Sequence, residues 1–392
     1  MRYYRILKKP LSKHFNKFKQ AIVLMGPRQA GKTTLLKDVF KDAIYLLVDE
    51  EPIREALESY SSASYKNLIK KSGVVIIDEA HLLTDPGRAA KIIYDKFPGI
   101  KLILTGSSSL RIKNKISESM AGRAIDYYLY PLTFSEMLYQ LEVEDDVEKT
   151  IIKRILNNNL NDFVGTYDLN FWLSEVLVYG LYPEVLNLEY GPKEEYLRNL
   201  GDKAIFKDII ELDLIEKRSV AYKLLVLLAY QIGNIINYAE LARNLGTSIP
   251  TIQRYIEIFE QSFVIYRVYP FSKNKRKEIV KSPKIYFWDV GLRNALIDDF
   301  SRIKQRGDVG ALFENFIVSE VKKEIRYFNI NWNINYWRLK TGTEVDLVLS
   351  SRDGKKIIGC EIKFNKSRFP KSFLSSYPEA RTCVLTSRNF WG

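Results

Sequence analysis

The chain is poor in the residues that build soft-metal and thiol chemistry. Its 392 residues include two cysteines, Cys360 and Cys383, and two histidines, His14 and His81. A zinc site takes about four nitrogen or sulfur ligands. No sensible set exists here, and a Cys–His or Ser–His nucleophile is equally out of reach. Any metal must be a hard cation held by oxygen. No apolar run approaches the roughly 18 residues that a membrane-spanning helix needs. The opening Met1–Pro10 is basic and lacks an apolar signal core. The expected location is cytoplasmic, with no membrane partner. Scarce Cys, His and Met beside abundant Lys, Ile, Tyr and Glu lean towards a thermophile.

What the chain has in excess is positive charge, and it lies in one half. Residues 1–218 hold 32 Lys and Arg against 31 Asp and Glu; the remainder holds 28 against 16, so +12 of the net +13 follows Arg218. A one-sided excess of this kind points to a polyanion partner, nucleic acid first. The length suggests about two or three domains.

The N-terminal half carries a phosphate-binding pattern. Gly26-Pro27-Arg28-Gln29-Ala30-Gly31-Lys32-Thr33 reads G-x-x-x-x-G-K-T. An apolar strand, Ala21–Met25, precedes it, and a helical pattern through Thr34 follows. Backbone N–H groups of such a loop face phosphate oxygens, and its glycines permit the close approach. Lys32 is expected at the β- and γ-phosphates and Thr33 on Mg²⁺, so ATP and Mg²⁺ are the expected cofactors. The run Gly73-Val-Val-Ile-Ile-Asp78-Glu79 is a β-branched strand ending in two acids. Asp78 would serve Mg²⁺ and Glu79 the attacking water, an order that points to hydrolysis. Thr105, Ser107 and Ser108 end another strand, either as water-orienting sensors or as caps of the next helix. Arg123 follows Gly122. It is a γ-phosphate sensor, a finger reaching a neighbouring subunit of a homo-oligomer, or a surface ion pair.

From Phe134 to Arg218 the pattern is helical, as in a lid beside an ATPase. Tyr238–Leu245, a turn at Gly246 and a second helix through Pro250 have helix-turn-helix spacing. Two strands around the basic Lys273-Asn-Lys275-Arg276-Lys277 complete a winged helix. Thr251, Gln253 and Arg254 would face duplex DNA while the basic tip meets phosphates; packing alone is the alternative. Further on, Asp346 is followed after fourteen residues by Glu361-x-Lys363. This resembles the PD-(D/E)xK nuclease core, with Glu314 on a preceding helix. On adjacent strands Asp346 and Glu361 converge, and Lys363 shares the face of Glu361. Val345 stands where the strict motif has proline. Domains of this fold also bind DNA without cutting it.

Gly26–Thr33, Leu104-Thr105-Gly106-Ser107-Ser108, Gly122-Arg123, Pro131–Glu136, Leu181–Glu184 and Phe206–Ile209 together resemble a prokaryotic group of AAA+ ATPases. That group joins an ATPase domain to a C-terminal domain of nuclease-like fold. The resemblance implies an α/β protein: P-loop ATPase core (1–133), helical lid (134–218), winged helix (219–290) and restriction-endonuclease-like domain (291–392). The expected function is ATP hydrolysis coupled to action on duplex or branched DNA. Two alternatives stay open. One is a nucleotide-dependent regulatory or defence switch with an inactive nuclease fold; the other is a small-molecule P-loop kinase.

Overall fold

A computed structural model describes residues 3–69, 73–107, 119–165, 167–201, 215–272, 282–365 and 368–391. Ser108, Phe206–Ile209 and the basic tip Lys273, Lys275, Arg276 and Lys277 lie outside the described residues. The chain divides into two compact units, Met1–Pro131 with Gln261–Phe263, and Leu132–Glu260 with Val264–Gly392.

The first unit is a parallel sheet of β1 (Ala21–Met25), β2 (Ile44–Leu47), β3 (Gly73–Asp78), β4 (Ile100–Gly106) and β5 (Ala124–Tyr128), in the order β2-β3-β4-β1-β5. Parallel strands are covered on both faces and read as continuous apolar runs; all five residues of β1 are buried. Ile22 and Leu24 pack with Leu7, with Leu11 of helix α1 (Lys8–Lys17), and with Leu35 and Leu36 of α2 (Lys32–Val39). The register sets the functional edge. Met25 lies opposite Gly106, and Ile77 opposite Leu104. The chain therefore leaves β1, β3 and β4 side by side, and ligands of open α/β sheets bind outside such carboxyl ends.

Among the described residues, the second unit holds two sheets. One pairs β6 (Ile265–Val268) antiparallel with β7 (Lys284–Phe287), after helices Tyr238–Asn244 and Ile249–Gln261. The other has the order β11-β10-β9-β8, from β8 (Trp332–Arg338), β9 (Glu344–Ser351), β10 (Ile357–Ile362) and β11 (Arg381–Leu385). The helix Val309–Tyr327 ties these parts together. Its Asn315 bonds both backbone groups of Phe287. Glu320 accepts from Phe134 N at 2.6 Å, and Glu324 accepts from Ile151 and Ile152 N–H at the start of helix Ile151–Asn157. These carboxylates satisfy helix-terminal amides that have no partner in their own helices. Cys360 and Cys383 are register partners on β10 and β11, and both are free thiols.

Candidate functional site

The loop Gly26–Gly31 joins β1 to α2. Its shape follows from two glycines. A Cβ on Gly26 would lie 1.9 Å from the Leu129 carbonyl oxygen, so only glycine fits there. Gly31 has φ 91°, a left-handed conformation that glycine adopts without strain. The first helical bond of α2 runs from Leu35 N–H to Gly31 O, so the amides of residues 32–34 precede the ladder. Lys32 is buried, and its Nζ donates to the Gly26 and Pro27 carbonyls at 2.9 Å each.

Asp78, also buried, is the hub of the site. Its Oδ2 accepts from Thr33 Oγ1 at 2.7 Å and from the Tyr45 hydroxyl. Its Oδ1 accepts from the Thr105 hydroxyl and, at 3.1 Å, from Glu79 N–H. Glu79 has φ 56°, strained for a non-glycine residue. Burial raises its carboxyl above the ordinary range; Lys32 and Arg28 oppose this, while Asp78 and Asp49 add to it. His81 Nδ1 stands 3.2 Å from Glu79 Oε2, with Ser107 Oγ 3.5 Å from its other ring nitrogen. Lys32, Thr33, Asp78, Glu79, Thr105 and Ser107 thus meet at one sheet edge. Arg123 does not join them. It precedes β5 beside Ala21, at the opposite end of β1, and pairs with Asp95 at 3.3 Å.

Sequence reasoning missed Tyr45 and Arg5. Tyr45 sits in an apolar strand with no motif to flag it. Arg5 is buried, donating to Ala30 O at 2.6 Å and Tyr130 O at 2.5 Å.

In the second unit the acidic residues come together around lysines. Cys360 lies opposite Leu347, which places Glu361 beside Asp346 at the next position. Asp346 Oδ2 accepts from Lys363 Nζ at 2.7 Å and Ile362 N–H at 2.8 Å, and Lys363 also reaches Glu361 at 2.9 Å. Burial first, then Asp346, push Glu361 up to about 7. Glu314 turns to other partners: its Oε1 accepts from Lys284 Nζ at 3.0 Å and Tyr286 OH at 2.7 Å. Lys284, on β7 and buried, also pairs with Glu344. Burial pulls this lysine down, but Glu314, Glu344 and Asp346 outweigh it and hold it above its ordinary value. Among the described residues, no group of three or more His, Cys, Asp and Glu is placed to hold a metal ion.

Of the residues expected at DNA, Gln253 and Arg254 are exposed on helix Ile249–Gln261, and Arg254 pairs with Glu216 at 3.2 Å. Thr251 is half-buried and bonded to Ser248 at the helix start. No helix among the described residues is long and apolar enough to cross a membrane.

Residues 18–138 match the family model of an AAA domain. Residues 170–303 and 309–389 match two domains of unknown function, DUF8612 and DUF4143. The chain is 29% identical to the uncharacterized protein MJ1637 of Methanocaldococcus jannaschii over 339 residues, 80% of this chain and 70% of that one. It is 28% identical to the uncharacterized protein Rv2008c of Mycobacterium tuberculosis over 375 residues, 93% of this chain and 76% of that one. Among solved structures, the Walker-type ATPase PabY2304 of Pyrococcus abyssi aligns with a TM-score of 0.48 at 16% identity, covering 74% of this chain and 94% of that one. The parallel sheet, the loop after β1 and the AAA-domain match agree: residues 18–138 have the fold of an AAA-type P-loop ATPase.

Proposed function

We propose that the chain hydrolyses ATP in its first unit and engages duplex DNA through its basic second unit. The observation that carries the ATP reading is the meeting of Lys32, Thr33, Asp78 and Glu79 at one sheet edge. An entering triphosphate gives Lys32 Nζ oxygens to exchange for the Gly26 and Pro27 carbonyls. Thr33 Oγ1 and the Asp78 carboxylate are hard oxygen donors 2.7 Å apart, a pair that suits Mg²⁺. Bound Mg²⁺ supplies charge neutralisation at the phosphates. Glu79 orients the attacking water and takes its proton, while Thr105 and Ser107 hold the neighbouring strand end. Phosphate release from ATP by wild type, lost in Glu79→Gln with ATP binding retained, tests this.

The DNA reading rests on the charge excess after Arg218 and on the exposed face of Gln253 and Arg254. The helix pair Tyr238–Asn244 and Ile249–Gln261, followed by the β6–β7 pair, suits a winged helix. The basic half also argues against a small-molecule kinase; transfer of phosphate to a metabolite would favour one.

A specific observation favours a regulatory switch over a nuclease. The residues of the acidic cluster do not fit a divalent metal. Lys284 brings its ammonium among Glu314, Glu344 and Asp346, where a cation would otherwise sit. Glu314, needed to complete a metal shell, is held by Lys284 and Tyr286 instead. No metal-dependent cutting of DNA is expected. Cutting by wild type that disappears in Asp346→Ala or Lys363→Ala would reverse this reading.

A further inference from the structure

We infer that Arg5 is a positioning residue of the nucleotide site: it sets the direction of a P-loop amide by holding the carbonyl of the same peptide group. This rests on the ATP reading above. Arg5 lies just before α1, far in sequence from the loop, and 4% of it is exposed. One guanidinium nitrogen donates to Ala30 O at 2.6 Å and the other to Tyr130 O at 2.5 Å.

The geometry of the peptide bond gives this contact its consequence. A trans peptide is planar, and its C=O and N–H point in opposite directions. A guanidinium fixed on the Ala30 carbonyl therefore aims the Gly31 N–H to the other side. Phosphate-binding loops work by aiming such amides at the ligand. Gly31 is the residue least able to hold this orientation alone, because glycine crosses φ space freely and its φ here is 91°. The nearest atom to a Cβ placed on Gly31 would be Arg5 Nη1, at 3.7 Å, so the guanidinium lies against the turn itself.

The second anchor is equally specific. Leu129 N–H donates to Met25 O at 2.8 Å, and the Leu129 carbonyl is the atom that Gly26 packs against. The next residue, Tyr130, supplies the other carbonyl held by Arg5. The segment after β5 thus backs both ends of the loop: the Gly26 end by direct packing, the Ala30 end through Arg5. Arginine suits the task because its planar fork serves two carbonyls at fixed spacing, whereas lysine presents a single point charge.

The test is a titration of the full chain with a fluorescent ATP analogue and with ATP in competition, in wild type, Arg5→Ala and Arg5→Lys, at a temperature where circular dichroism shows each variant folded. Loss of charge-assisted bonds of this kind is expected to weaken ATP binding by about 10- to 100-fold in Arg5→Ala. Arg5→Lys should recover only part of the loss. Turnover at saturating ATP should change less than threefold or so, since Arg5 touches no reacting atom. A folded Arg5→Ala that binds ATP as wild type does would overturn the inference, and so would full recovery by lysine. If wild type itself binds no ATP, the ATP reading fails instead, so the two failures are distinct.

Discussion

Thr33 Oγ1 donates to Asp78 Oδ2 at 2.7 Å, joining the start of α2 to the end of β3. Both oxygens are hard donors, and the proposed function gives them one cation to share. Thr33→Val keeps the shape and removes the hydroxyl. It should weaken ATP binding in Mg²⁺ by about 10-fold or more, at the level of one or two lost charge-assisted contacts. Chelating Mg²⁺ should weaken wild type and leave Thr33→Val nearly unchanged. Isothermal titration with and without chelator reads both effects.

Glu79 sits beside the same centre, its backbone N–H bonded to Asp78. Glu79→Gln should lower kcat by about 10²- to 10⁴-fold, the range for a general base, with little change in ATP affinity. His81 stands 3.2 Å from that carboxylate, so His81→Gln should lower kcat by a smaller factor. Steady-state phosphate release measures the first; the ratio of the two variants measures the second.

Gly26 tolerates no side chain. A Cβ there would meet the Leu129 backbone carbonyl at 1.9 Å, and that residue's N–H is bonded to Met25 O at the end of β1. Gly26→Ala should displace the loop and abolish ATP binding. All five tryptophans lie at or after Trp172, so their fluorescence should report an unaltered second unit.

Asp308 joins two buried arginines. Its carboxylate accepts from Arg293 at 2.6 Å and from Arg306 at 2.8 Å. Burial raises this carboxyl, but Arg306 and Arg293 outweigh that and hold it below its ordinary value. The depressed value means that its stabilisation is full above the unfolded value, about 3.9, and is lost as pH falls through the folded one. Asp308→Asn should cost about 1–3 kcal/mol at pH 7, less than a fully enclosed pair because Asp308 is partly exposed. The difference from wild type should shrink below about pH 4. Urea unfolding followed by tryptophan fluorescence checks this.

The sequence was most legible where chemistry and backbone coincide. Gly26–Thr33 needs strand, loop and helix in that order, and Asp78-Glu79 needs a buried strand, so those elements followed from local pattern. Arg5 and Tyr45 were not legible, because each acts through a contact made only when distant segments meet. Glu314 shows the same limit from the other side. Its place on a helix before Asp346 suggested a shared metal, yet its partners are Lys284 and Tyr286 on β7. Nothing in a strand reading Lys-Ile-Tyr-Phe indicates that its lysine is buried against carboxylates. Glu320 and Glu324, further along the helix of Glu314, carry no motif either, yet they cap helices at Phe134 and Ile151.

In the proposed function, ATP hydrolysis responds to DNA. Phosphate release by the purified chain, titrated with duplex DNA at low salt in Mg²⁺, tests this most directly. Wild-type turnover should rise and saturate with DNA, and salt should suppress the rise. No phosphate release, or a rate that stays flat across the DNA titration, would contradict it.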